Sequence, residues 1–376
     1  MKSDVFFANN REHHHYNIYE KVKRLLNEIG LNGIVKKNDI VAVKIHFGEY
    51  GNTSFIRPSI VRIVIDEIKA LGGKPFLTDS STLYKGTRSD AVSHLNTALL
   101  NGFDFSVVNA PLIISDGVKG NSAVKIKVSG KNIEFADICS DVFYADALVV
   151  LTHFKLHELT GFGGSLKNVA MGCAAKSGKL IMHSSVSPVI NGSRCVKCME
   201  CKKICPGGAM IVKEKCLMIN PEKCLGCAQC VSICPVSAIN IVWNSASNDA
   251  QEKMCEFAKA ALSNKKNKNC YLNFLYDISP ECDCYSHNDA PVVRDIGILA
   301  STDIIAIDKA SIDLVNSEQG QINSALRKNF ESGGDKAKGV HPDLDWTTQI
   351  NYGFQIGLGN REYNLITINH KTKNKN

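Results

Sequence analysis

Apolar and polar positions alternate along the chain with two different periods. Val41-Ala42-Val43-Lys44-Ile45 is a short apolar run, the pattern of a strand buried on both faces. From 58 to 71 the apolar residues Ile60, Val61, Val64, Ile65 and Ile68 recur at helical spacing. Pro58 near the start and Gly72-Gly73 past the end are ordinary helix punctuation. Residues 75–78 predict a strand, 88–100 a helix, and 123–135 a hairpin turning at Ser129-Gly130-Lys131-Asn132. A buried strand over 146–152 then leads into a glycine-rich turn and helix. The alternation resumes with an amphipathic helix near 250–262 and strands at 271–278 and 295–300. A helix at 303–315 with Thr302 as N-cap, a helix at 346–356 and a strand at 362–368 complete it. This pattern predicts an α/β fold with a mostly parallel sheet, made as one discontinuous domain from 1–185 and 245–368.

The interruption has its own pattern. Cys195-x-x-Cys198-x-x-Cys201-x-x-x-Cys205-Pro206 is repeated as Cys224-x-x-Cys227-x-x-Cys230-x-x-x-Cys234-Pro235. This is the run of a bacterial two-cluster ferredoxin, in which the fourth cysteine of each run crosses to the other cluster. The spacing assigns Cys195, Cys198, Cys201 and Cys234 to one 4Fe–4S cluster. It assigns Cys224, Cys227, Cys230 and Cys205 to a second. A zinc site would use one Cys-x-x-Cys pair and leaves the repeated fourth cysteine unexplained. Residues 191–242 are therefore expected to form an inserted α+β ferredoxin-like module, entered through a Ser/Pro/Gly-containing linker at 184–193.

Charge and composition narrow the partners. The formal charge of +7 owes much to two lysine groups, Lys371, Lys373 and Lys375 in a tail (369–376) expected to be disordered and Lys265, Lys266 and Lys268 in a loop. Seven basic residues against three acidic ones in 191–242 offset the charge of thiolate-ligated clusters. No basic stripe with interleaved aromatics suggests nucleic acid, and no apolar run of membrane length exists. The opening residues lack a signal-peptide pattern, so the expected compartment is the cytoplasm. There thiols stay reduced, and oxygen-sensitive clusters fit an anaerobic host.

Outside the cysteine runs, the segment His153 to Asn168 holds most of the candidate chemistry. It starts at the end of a predicted strand, where ligands collect in open α/β sheets. Gly161, Gly163, Gly164 and Asn168 are candidate cofactor contacts, since glycines permit close approach and helix N-terminal amides favour an anion. His153 and His157, four apart, could share a ligand if that turn were helical; the alternative is a tight turn with surface histidines. Lys44 and His46 end an apolar strand, and a lysine there needs a partner or a shifted pKa. Cys282-Asp283-Cys284 brings two thiols together and is a candidate second metal site. Cys139, Cys173, Cys216, Cys255 and Cys270 are isolated and read as packing residues.

The runs Val43 to Glu49, His153 to Asn168, Cys282 to Cys284 and Asp295 to Asp303 together resemble the domain-of-unknown-function family 362. Many members of that family carry a two-cluster ferredoxin module. The resemblance implies an iron–sulfur protein of redox role, with no substrate specified. His157 to Lys167 is also similar to a turn of nickel-dependent lactate racemases. That similarity implies Lys167 as anchor of a nickel-bearing cofactor and His157 as a metal ligand or base.

The combined expectation is an iron–sulfur oxidoreductase component. Two 4Fe–4S clusters serve a site lined by Lys44, His46, His153, His157, Lys167, Cys282 and Cys284, which takes a small anionic ligand, and a redox partner protein exchanges electrons. The alternatives are a non-catalytic ferredoxin-like carrier or cluster-handling protein, and a metal-dependent racemase or isomerase with structural clusters.

Overall fold

Val41, Ala42 and Val43 are fully buried because their strand lies inside an eight-stranded sheet covered on both faces. A computed structural model describes every residue except 1, 85, 184–186, 206, 225–228, 241–246 and 369–376. Cys227 and the 369–376 tail fall outside the described residues. The strand order is Tyr363–Thr367, Ser3–Asn9, Gly297–Ser301, Asn269–Leu275, Ala147–His153, Ile40–Lys44, Lys74–Asp79 and Leu112–Ile114. Gly297–Ser301 alone runs against its neighbours, so the fold is α/β with a mostly parallel sheet.

The sheet separates two apolar layers. Ala147, Val149 and Leu151 pack with helices Ile18–Glu28 and Pro58–Ala70. Leu148 and Val150, the alternate residues, pack with helices Ser165–Ala170, Ser247–Leu262, Ile304–Ser317 and Thr347–Gln355. Each valine or leucine among them contributes about 1.5–3 kcal/mol on full burial. Strands from both sides of the cysteine-rich segment interleave: Asn269–Leu275 pairs with Ala147–His153, and Gly297–Ser301 with Ser3–Asn9.

Several local expectations need correction. Strand Ser3–Asn9 and helix Ile18–Glu28 have no counterpart among the elements expected from the sequence. The N-cap of helix Ile304–Ser317 is Asp303, whose carboxylate accepts from Ile305 N and Ala306 N; it displaces Thr302. His153 and His157 do not share a helical turn. Between them the chain enters a β-ribbon, Lys155–His157 against Gly161–Gly163, and only then the helix Ser165–Ala170. Lys265, read as a loop lysine, is fully buried and donates to Phe143 O at 2.7 Å.

The cysteine-rich segment has a small core of its own, including Met210, Leu217, Val231 and Ile239. Short helices Glu200–Ile204 and Gln229–Ile233 pack together, and the paired strands Val189–Ile190 and Ile239–Asn240 join its two ends. The chain leaves the larger layers through helix Lys176–His183 and returns in Ser247–Leu262.

The turn before helix Ser165–Ala170 is held by a buried carboxylate. Asp308 Oδ1 accepts from Ser165 N (2.7 Å) and Asn273 Nδ2 (2.8 Å), and Oδ2 accepts from Leu166 N (2.8 Å). Gly164 lies against it, and a Cβ there would sit 2.3 Å from Oδ1. Both oxygens face donors, so an amide cannot replace the carboxylate without setting its NH2 against at least one N–H group. Asp308→Asn should lower stability by about 1–3 kcal/mol in urea denaturation. An unchanged midpoint would contradict this account of the turn.

Candidate functional site

The parallel register of Ile40–Lys44 and Lys74–Asp79 carries both strands to one edge of the sheet. Lys44 follows Ala42 on the face that meets helix Ser165–Ala170, and its Nζ donates to Asn168 Oδ1 at 2.7 Å. The same Nζ lies 3.0 Å from Asp79 Oδ1. Gly172 leaves the room for it, because a Cβ there would come within 2.4 Å of Nζ. Asp79 Oδ2 lies 3.5 Å from Arg88 Nη1 and 3.6 Å from His94 Nε2. Arg88 also donates to Glu49 Oε2 (3.1 Å) and Tyr84 OH (2.7 Å). Burial opposes ionisation of Asp79, but Lys44, then His94, His46 and Arg88, outweigh it and hold the carboxyl well below the usual range.

This network forms one wall of a cavity of about 890 Å³ at the C-terminal edge of the sheet. Lys44, His46, His157, Lys167, Cys282 and Cys284 all line it. Gly163, Gly164 and Asn168 lie there too; Gly161 and His153 do not. Gly161, at φ +76°, packs under Trp346 instead. The amides at the start of helix Ser165–Ala170 are occupied by Asp308, so the chain itself supplies the anion that the sequence pattern suggested for a ligand.

His153 lies behind the cavity wall. Its Nδ1 is 2.8 Å from Asp283 Oδ1, and its Nε2 is 2.9 Å from Tyr276 O. Lys155 Nζ donates to the other oxygen of Asp283 at 2.9 Å. These contacts hold the Asp283 carboxyl far below its ordinary range against the effect of burial, His153 ahead of Lys155. Asp283 stands between the two cysteines, so His153 and Lys155 position that loop.

The two histidines in the cavity are hydrogen-bonded from behind. Gly48 N donates to His46 Nδ1 at 3.0 Å, which leaves the proton on Nε2, 3.4 Å from Cys284 Sγ. Leu159 N and Thr160 N donate to His157 Nδ1 at 3.0 and 3.3 Å, which likewise places the proton on Nε2. Burial, followed by Lys167, pushes the His157 pKa well down. His157 therefore presents a neutral N–H donor to the cavity, which does not suit a metal ligand or base at Nε2. His46, Cys282 and Cys284 hold ligand atoms within 4.8 Å of one another, close enough to share a metal ion. The tautomer at His46 favours a donor to sulfur over a metal ligand there.

The sulfurs themselves are unequal. A hydrogen bond from Cys282, then His46 and Arg88, pulls Cys284 well below an ordinary thiol, while the same bond and burial push Cys282 up. Lys167 Nζ lies 3.6 Å from Cys282 Sγ. Lys179 Nζ donates to Ser80 Oγ (2.6 Å) and Ala174 O (2.7 Å). Among the described residues Lys44, Arg88 and Lys155 are paired with carboxylates within 4.0 Å, and Lys167 and Lys179 are not. Arg88 and Lys179 carry no sequence signal, since they reach the cavity from a loop and a helix with no marked pattern; Glu49 closes the run Val43 to Glu49, but nothing local marks it as the partner of Arg88. Lys155 could have been found, as it alternates with His153 and His157.

A second cluster of candidate ligands lies in the cysteine-rich segment. Cys195, Cys198 and Cys201 line one small cavity with Cys234 from the other run. Apolar residues, among them Ile190, Leu217 and Ala238, make up most of the remaining wall. The runs also match locally: Ala209 N donates to Cys205 Sγ and Ala238 N to Cys234 Sγ, both at 3.2 Å. Cys224 is half-buried and Cys230 buried. Cys139, Cys173, Cys255 and Cys270 are buried among apolar residues; burial raises Cys173 to about 11 and Cys270 to about 12.

Removing one member of the Lys44–Asp79 pair leaves a buried charge uncompensated. Lys44→Met should cost about 3–5 kcal/mol in chemical denaturation. Lys44→Met combined with Asp79→Leu should cost less than Lys44→Met alone, and a larger loss in the double variant would refute the pairing.

No curated protein matches the sequence. The solved structures similar to this chain include two proteins. One is the lactate racemase apoprotein from Thermoanaerobacterium thermosaccharolyticum, at 14% identity over 74% of this chain and 51% of that one, with a TM-score of 0.36. The other is a protein from Thermotoga maritima, at 15% identity over 70% of this chain and 51% of that one, with a TM-score of 0.37. The chain spans about half the length of each, and likeness at this level does not inform the chemistry. The family match is of another order, covering residues 41–313, and the chain belongs to the family described as Domain of unknown function (DUF362).

Proposed function

We propose that this chain is an iron–sulfur oxidoreductase component with two 4Fe–4S clusters in the cysteine-rich segment and a substrate site in the large cavity. The observation that carries the reading is the convergence of Cys195, Cys198, Cys201 and Cys234 on one small cavity, with three cysteines from one run and the fourth from the other. An all-thiol donor set among apolar residues suits a 4Fe–4S cluster, whose chemistry when bound is one-electron transfer. Cys205, Cys224 and Cys230, with Cys227, would hold the second. The N–H···S bonds from Ala209 and Ala238 would stabilise charge on the fourth sulfur of each run.

The residues around the two sites support a connection. His183 ends the helix before the segment and lines the large cavity. Ser247, at the return, donates to the carbonyl of Leu159, another cavity residue. Both junctions of the segment thus sit at the cavity rim. Cys198 is exposed, with Arg194, Lys202 and Lys203 exposed nearby, which suits approach of a redox partner with an acidic face. Lys167 and Lys179 would orient a small anionic substrate. A carrier alone would need neither the cavity nor its lysines.

Protein purified without oxygen should contain about eight iron and eight sulfide per chain. Cys198→Ser and Cys234→Ser should each remove or alter the same cluster by electron paramagnetic resonance and leave the other intact. Stoichiometric zinc without labile sulfide would overturn the reading. Loss of different clusters in the two variants would overturn the assignment of Cys234.

A further inference from the structure

The loop between Cys282 and Cys284 is anchored far more firmly than a surface turn requires. Asp283 is fully buried, with one carboxylate oxygen 2.8 Å from His153 and the other 2.9 Å from Lys155. The backbone that bears both sulfurs is therefore fixed. The sulfurs and a ring nitrogen of His46 lie within 4.8 Å of one another. Their surroundings differ. Cys284 is half-buried in the cavity lining and faces His46 Nε2 at 3.4 Å. Cys282 is 3% exposed and faces Lys167 Nζ at 3.6 Å.

We propose that Cys282 and Cys284 are a redox-active dithiol that reduces a small anionic disulfide, with Cys284 the attacking sulfur and Cys282 the resolving one. An accessible sulfur with a hydrogen-bond donor, next to a second, shielded sulfur, is the arrangement that thiol–disulfide exchange needs. Residues i and i+2 stand at most about 7 Å apart along the chain, near the upper end of the span a disulfide bridges. The cavity is of a size that takes a small molecule, and Lys167 and Lys179 select a negative one.

The steps balance. The Cys284 thiolate attacks one sulfur of R–S–S–R′; that bond breaks, and R′S⁻ leaves and takes the proton of the Cys282 thiol. The Cys282 thiolate, held by Lys167, attacks the sulfur of Cys284, RS⁻ leaves, and a Cys282–Cys284 disulfide remains. The substrate gains two electrons and the protein loses two. Return to the starting state takes two electrons and one proton, and in this step the inference rests on the iron–sulfur reading, whose two clusters are carriers of one electron each.

The test uses full-length protein, prepared without oxygen, with oxidised glutathione as the probe and peptide mass mapping as the readout. Wild type should yield the Cys282–Cys284 disulfide. Cys282→Ser should accumulate a glutathione adduct on Cys284, and Cys284→Ser should form none on Cys282. Lys167→Met with Lys179→Met should slow the reaction about tenfold, since attraction for the anionic probe is lost. Wild type with neither the disulfide nor an adduct at these positions overturns the proposal without any variant. So does equimolar zinc bound to wild type and lost in both cysteine variants. Iron and sulfide are measured on the same samples. Absent clusters with an intact dithiol response would sink the iron–sulfur reading alone; full clusters with no response would sink the dithiol alone.

Discussion

Lys44 and Asp79 lie 3.0 Å apart at the ends of two neighbouring parallel strands, and the cavity wall is organised around that contact. Both side chains are almost wholly buried, so each charge depends on the other for compensation. The pair reaches outward in two directions. Through Lys44 it ties the sheet to Asn168, and Asn168 Nδ2 in turn donates to the carbonyl of Leu151 at 3.0 Å. Through Asp79 it meets Arg88, which brings in Glu49 and Tyr84 from the loops above the sheet edge. Tyr84 then donates to Cys284 O at 3.0 Å, which links the charge network to the cysteine loop.

The distribution of carboxylates decides what the cavity can attract. Asp79, Glu49 and Asp283 are committed to Lys44, Arg88 and Lys155. Asp308 is committed to the backbone of the glycine-rich turn and closes a helix terminus that would otherwise offer amides to a ligand. Lys167 and Lys179 are left without a carboxylate within 4.0 Å among the described residues, so their charge favours an anion, against the exposed Glu158 that lines the cavity beside His157. Low dielectric around buried groups strengthens that preference.

The cysteine-rich segment is tied to the cavity by chain connection. Its own core is small, as expected for a unit of this length. Its entry at His183 and its exit at Ser247 flank the cavity rim. The arrangement suits division of labour between a sulfur-rich unit and a site rich in lysine, histidine and thiol.

Much of the fold was legible in the chain because the relevant signals are local. Buried strands such as 41–45 read as apolar runs, the helix at 58–70 shows its period and its proline, and the cysteine runs announce their spacing without any tertiary information. Lys44 was visible as a charge in an apolar strand, and Cys282 and Cys284 as an unusual pair. Other features depend on contacts between residues far apart in sequence, which no local pattern encodes. The N-terminal strand Ser3–Asn9 is mixed in character and is defined by pairing with Gly297–Ser301 and Tyr363–Thr367. That His153 braces Asp283 from behind the wall, while His157 faces the cavity, follows from the β-ribbon after the strand and from a loop 130 residues away. Composition and spacing determined which chemical groups this protein carries; the register of the sheet and the pairing of buried charges decided which of them are joined, which are neutralised and which remain free to act.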